Sequence, residues 1–165
     1  MMKAVILDSP GDVSHLKLTE IPVPEINNDE VLVQVKAISI NPVDAKTRSG
    51  KGLYGSLKDQ NPLIPGWDIS GVVIKTGKNV KDFTNGNEVF GMVNFPGHGK
   101  AYAEYVAAPA EHLALKPPSV SHNEAAAASL AAITAWQAFT VHTKINKGNR
   151  VLIHAASGGV GHFAV

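Results

Sequence analysis

Short apolar runs separated by glycine and proline fill most of this chain. Lys3–Leu7 is a compact apolar strand closed by Ser9-Pro-Gly-Asp12. Leu16–Ile21 sets Leu16 and Leu18 against Lys17 and Thr19, and Pro22 and Pro24 end it. Glu30–Ile40 alternates most regularly: Val31, Val33, Val35 and Ala37 share one face, with Gln34 and Lys36 on the other. Such period-two spacing predicts a half-buried strand. Further strands are expected at Ile69–Lys75, Glu88–Val93, Ala101–Ala107 and His112–Leu115, with turns at Gly77, Gly86 and Pro96-Gly97. Between them, Asn41–Gly66 reads as one long irregular loop, and loops of that length are commonly functional.

The period changes after Pro117-Pro118. Ser121 and Glu124 stand at capping-box spacing, and Ala125 to about His142 is then small or apolar on all sides, which predicts a helix buried between layers. Lys147-Gly-Asn149 ends it. Val151–His154 is an aliphatic run suited to a buried strand, and Ala155–Gly161 is a small-residue turn with Gly158, Gly159 and Gly161 where a helix would start. Strand, glycine turn and helix N-terminus together form the front of a dinucleotide site, where backbone N–H groups and the helix dipole receive a pyrophosphate.

Bulk properties narrow the picture. A chain of 165 residues with 44% hydrophobic content can bury a sizeable core, and its net charge of +1 gives no reason to expect nucleic acid or an anionic membrane as partner. There is no cysteine, which removes disulfides, thiolate metal sites and thiol nucleophiles and suits a reducing, cytoplasmic setting. No stretch approaches a transmembrane span.

Five motifs carry a resemblance: Asn41-Pro-Val-Asp-Ala-Lys-Thr-Arg-Ser-Gly50, Pro65-Gly-Trp-Asp-Ile-Ser-Gly-Val-Val73, Tyr102-Ala-Glu-Tyr-Val106, Ala131-Ala-Ile-Thr-Ala-Trp136 and Ala155-Ala-Ser-Gly-Gly-Val-Gly161. In this order they resemble the zinc-free quinone oxidoreductases of the medium-chain dehydrogenase/reductase superfamily, over essentially the whole chain. The resemblance implies a mainly β GroES-like barrel carrying the substrate side (residues 1–119). The first helix and strand of an incomplete α/β Rossmann domain would follow (residues 120–165). It also implies NADPH as cofactor, with NADH not excluded, a small quinone or enone as substrate, and a homodimer for the full-length protein. The residue that separates NADPH from NADH lies about 20 positions beyond the glycines, so on this reading the chain is a fragment of a longer reductase, without turnover alone. A non-catalytic GroES-like binding or assembly module is the alternative.

Zinc-dependent members take a Cys where this chain has Asn41 and a His where it has Trp67, and their third ligand falls near Leu130. None of these residue types suits tetrahedral zinc, so a metal-free site is expected. Hydride addition to a conjugated system places negative charge on its oxygen, which donors or a cation must then stabilise. Asn41 (amide), Lys46 (ammonium) and Tyr54 (phenol) are the candidates in the long loop; Lys46 and Tyr54 could equally be solvated, and relatives often have Tyr in place of Lys46. Trp67 is expected to fill the volume of the absent metal, and could also wall a planar substrate. For cofactor binding the resemblance implies Asn41, Asp68, Thr134, Ser157, Gly158, Gly159, Val160 and Gly161. Asp44 and Asp68 are read either as orienting the loop or contacting ribose, or as turn and capping residues. The Thr134 hydroxyl either faces the nicotinamide or bonds back to its own helix. The Gly-x-Gly-x-x-Gly positions fall on Ala156, Gly158 and Gly161.

Overall fold

The computed structural model describes residues 1–165. Seven strands form two antiparallel sheets: β1 (Met2–Leu7), β2 (Leu16–Ile21), β3 (Glu30–Ile38), β4 (Asp68–Thr76), β5 (Glu88–Met92), β6 (Tyr105–Pro109) and β7 (Ala114–Leu115). β1 and β2 pair as a hairpin, and the other five follow the order β6-β3-β4-β5-β7. A bridge between Ala4 and Ala103, with Val5 N–H donating to Tyr102 O at 2.8 Å, joins the two sheets. The mainly β expectation therefore holds.

The register explains the core. Val33 opposes Val73 on one side and Val106 on the other, and Val31 opposes Thr76 and Ala108. Val31, Val33, Ile69, Val73, Val89, Val93 and Val106 make one fully buried cluster. Gly71 lets β3 and β4 approach: a Cβ there would lie 2.2 Å from the Gln34 carbonyl oxygen. The second cluster packs Leu7, Leu57, Leu63 and Trp67 beneath the hairpin.

Three expectations change. The stretch from Asn41 to Gly66 contains two short helices, α1 (Pro42–Arg48) and α2 (Tyr54–Leu57). Pro42 at the first helical position and Asp44 in the first turn were the available signal. The strand expected at Ala101–Ala107 starts at Tyr105, because Ala101 and Tyr102 donate their N–H groups to Gly66 O and Pro65 O instead. No strand forms at Val151–His154, whose residues have no neighbouring strand to complete their backbone hydrogen bonds.

Helix α3 (His122–Gln137) starts at the expected cap: Ser121 Oγ accepts from Glu124 N–H at 3.2 Å, and Glu124 Oε2 accepts from Ser121 N–H at 2.8 Å. The helix continues as a π turn to His142. It lies on β3, β4 and β5, but only one face is covered: Ala125, Ala126, Ser129, Ala131 and Ala135 are buried, whereas Trp136 is 70% exposed. A polar junction fixes its start. Lys116, buried in the linker, binds Glu88 at 3.0 Å and donates to Val120 O at 2.6 Å. His122 meets Glu88 at 3.3 Å and Ser70 Oγ at 2.7 Å. Helix α4 (Gly161–Ala164) follows the glycine turn and rests on α3.

Candidate functional site: a carboxamide–carboxylate array

Three segments converge at the start of β4. Asn41 is the N-cap of α1, and its backbone N–H donates to Asp44 Oδ2 at 2.5 Å. Its side-chain Nδ2 donates to Asp68 Oδ2 at 2.9 Å, and the same oxygen accepts the Leu130 N–H of α3 at 3.2 Å. Thr134, one turn further along α3, donates its hydroxyl to Leu130 O at 2.7 Å. Asn41 and Leu130, two of the three positions where the resemblance leads one to expect zinc ligands in zinc-dependent members, are thus bridged by one carboxylate. Trp67, the third, is 1% exposed and turns into the apolar cluster, with its Nε1–H on Gly97 O at 2.7 Å and its ring edge-on to Phe95. No group of three His, Cys, Asp or Glu side chains converges anywhere.

The electrostatics of the array are unusual. Asp68 is fully buried and Asp44 is 3% exposed, and no Lys, Arg or His pairs with either. Burial pushes the Asp68 carboxyl up to about 6, against the bonds from Asn41 and Leu130, and repulsion by Asp44 adds to it. Burial likewise raises Asp44 to about 6, opposed by the Asn41 N–H. Asp44 Oδ1 and Asp68 Oδ1 have no partner. Tyr102 is pushed well above its ordinary range by burial and by Asp44. The capping role considered for Asp44 is present, but its burial beside Asp68 has no signature in the sequence.

The other candidates fall elsewhere. Lys46 lies on the exposed face of α1, opposite buried Asp44 and Thr47. Tyr54 begins α2 and packs half-buried against the Leu7–Leu57–Leu63–Trp67 cluster. No hydrogen bond joins either side chain to Asn41. Ser157, Gly158, Gly159 and Val160 form an exposed turn leading into α4. A Cβ at Gly161 would lie 2.1 Å from Ala155 O, so the chain itself demands that glycine, whereas a Cβ at Gly159 would meet nothing. Gly159 has no packing reason to be glycine, which fits a turn left bare for the close approach of a phosphate.

Comparison with known proteins agrees with this fold. The alcohol dehydrogenase GroES-like domain matches residues 27–118. A chloroplastic NADPH-dependent alkenal/one oxidoreductase of Arabidopsis thaliana is 39% identical over 99% of this chain and 43% of its own length. A mitochondrial NAD(P)H oxidoreductase of Homo sapiens is 37% identical, over all of this chain and 46% of its own. The solved quinone oxidoreductase of Coxiella burnetii superposes with a TM-score of 0.91 at 41% identity, covering 99% of this chain and 51% of that one. The chain spans about half the length of the curated relatives it matches. No helix is long and apolar enough to cross a membrane. The chain belongs to the alcohol dehydrogenase GroES-like domain family, among medium-chain dehydrogenase/reductases whose members are named quinone and enone oxidoreductases.

Proposed function

We propose that this chain supplies the substrate side, and the threshold of the cofactor side, of a metal-free NADPH-dependent reductase acting on quinones or α,β-unsaturated carbonyls. Residues 1–119 form the substrate domain in this reading, and residues 120–165 open the nucleotide domain. The observation that carries it is the Asn41–Asp68–Leu130 array, which fills with hydrogen bonds a position that zinc-dependent relatives fill with metal ligands. The Asn41 carboxamide and the Leu130 backbone amide leave Asp68 as the one zinc-type donor of the array, short of the three protein ligands that a catalytic zinc takes.

A bound nicotinamide would supply the hydride. The residues of this chain would do the rest. Ser157, Gly158, Gly159, Val160 and Gly161 would hold the pyrophosphate, and Thr134 would mark the nicotinamide end. Asn41, half-buried beside the carboxylates, would donate to the oxygen on which charge develops, and the Lys46 ammonium on the exposed face of α1 would contribute a positive field. Tyr54 serves the fold by packing. A cytoplasmic location is supported by the cysteine-free composition, although relatives include chloroplastic and mitochondrial proteins.

The full-length protein, after dialysis against a strong chelator, should oxidise NADPH in the presence of a small quinone at the untreated rate. Loss of that rate with recovery on adding zinc would overturn the metal-free reading. The second reading, a non-catalytic binding module, draws on the exposed apolar residues Trp136, Val141 and Leu152; it requires that no turnover occur with any quinone or enone.

A further inference from the structure

We infer that Asp68 is a positioning residue: acting through Asn41, its buried carboxylate fixes which end of the Asn41 carboxamide points inward, and so aims the remaining N–H as a donor. The inference deepens the reductase reading and rests on it only for its kinetic consequence.

Asp68 has no exposed surface, so it cannot touch a ligand itself. Asn41 is half-buried and can. An ionised carboxylate accepts hydrogen bonds and donates none, so only the NH2 end of the carboxamide can face it. One Nδ2 hydrogen is spent on Asp68 Oδ2, and the second has no partner within the chain. The grip is double, because Asp44 holds the Asn41 backbone N–H while Asp68 holds the side chain. Around Asp68 stand Asp44 from α1, Met92 opposite on β5 and Leu130 from α3; none is cationic, and Asp44 is the charged one. Asp68 Oδ1 is buried without a partner, so the bonds from Asn41 and Leu130, both to Oδ2, are all that hold the charge in place. A proton on the carboxyl gives it a donor of its own. The carboxamide is then free to turn over, and the outward N–H is no longer fixed.

The test follows the side-chain amide of Asn41 by NMR in the nitrogen-15-labelled 165-residue chain, assigned by its loss in N41A. The Asn41 Nδ2H2 signals should move together with a midpoint near about 6, the range to which burial raises Asp68. In D44N the movement should persist with a lower midpoint, because the repelling charge is gone. In D68N the Asn41 signals should stay flat. Signals that do not move in the parent chain, or a movement abolished by D44N or retained in D68N, would overturn the inference. Should D68N fail to fold, the parent and D44N titrations still decide it.

In the full-length protein, D68N should lower kcat roughly tenfold with little change in the KM for NADPH, and remove the acid limb of the kcat profile. N41A should cost at least as much, and the double variant no more than N41A. Full-length protein that oxidises no NADPH while the Asn41 titration holds would sink the reductase reading and leave the Asp68–Asn41 coupling standing.

Discussion

The sheet domain and the segment after Gln137 differ in how completely their elements find partners. In the first, β3 is paired on both sides, its valines meet valines of β4 and β6, and even the tight approach at Gly71 is used. In the second, Val151 and Leu152 are exposed at 48% and 80%, and a stretch with every local mark of a strand has none of the hydrogen bonds of one. Strand propensity expresses itself only where a neighbour supplies the other half of the ladder. The same contrast divides the chemistry. The Asn41–Asp68 array is assembled within the first region, whereas the glycine turn lies bare on the second.

The largest expected effect on that contrast comes from its two tryptophans. Trp67→Ala should lower the unfolding free energy by about 3–5 kcal/mol in urea titrations, because it empties a buried site packed by Leu7, Leu57 and Leu63. Trp136→Ala, at an exposed position, should change it by under about 0.5 kcal/mol. Equal losses would show that the outer face of α3 is packed in solution.

The glycines divide the same way. Gly71→Ala should destabilise by about 2–4 kcal/mol, since its Cβ would press on a backbone carbonyl that cannot retreat. Gly159→Ala should leave the melting temperature unchanged, as its Cβ enters open space. In the full-length protein the same change should weaken NADPH binding, measured by fluorescence titration.

Much of the first region was legible in the sequence. The alternation from Val31 to Ala37 announces β3, and Ser121 with Glu124 announces the N-cap of α3, although the helix expected from Ala125 begins at His122. Alternation cannot report what lies across space. Nothing in the run from Asn41 to Gly66 says that Asp44 and Asp68, 24 positions apart in the sequence, share Asn41 as a common donor. Lys46 and Tyr54 have the right chemistry in the right loop, yet α1 turns Lys46 outward and α2 lays Tyr54 on an apolar cluster. The helix after Ser121 looks apolar all round because alanine is too small to distinguish a covered face from a bare one.

A smaller effect concerns pH. Asp44 and Asp68 are raised to about 6 in the folded chain, above the ordinary carboxylate value, so the folded state binds their protons more tightly than the unfolded state does. Their contribution therefore favours folding on the acid side and is lost as pH rises through about 6. His98, which burial holds down to about 4, pulls the other way over the same range, so the carboxyl contribution is read by difference. Between about pH 5 and pH 7 the parent chain should lose on the order of 1 kcal/mol relative to D44N, measured by denaturant unfolding. Equal pH slopes in the parent chain and D44N would mean that the Asp44 carboxyl is not buried as described.

A further small effect is expected at the start of α3, where Ser121→Ala removes one side of a capping box and should cost about 0.5–1 kcal/mol. A loss several times larger would mean that the junction of Lys116, Glu88 and His122 depends on that cap.

In the reductase we propose, a site built on Asn41 and Asp68 directs hydride from a nicotinamide to a conjugated carbon without a metal. The most direct test of that claim supplies chelator-treated full-length protein with NADPH deuterated at the transferable position and a simple enone. The account predicts deuterium at the β-carbon of the saturated product, at a rate unchanged by chelation. Product without label at that carbon, or label transfer that appears only when zinc is restored, would contradict it.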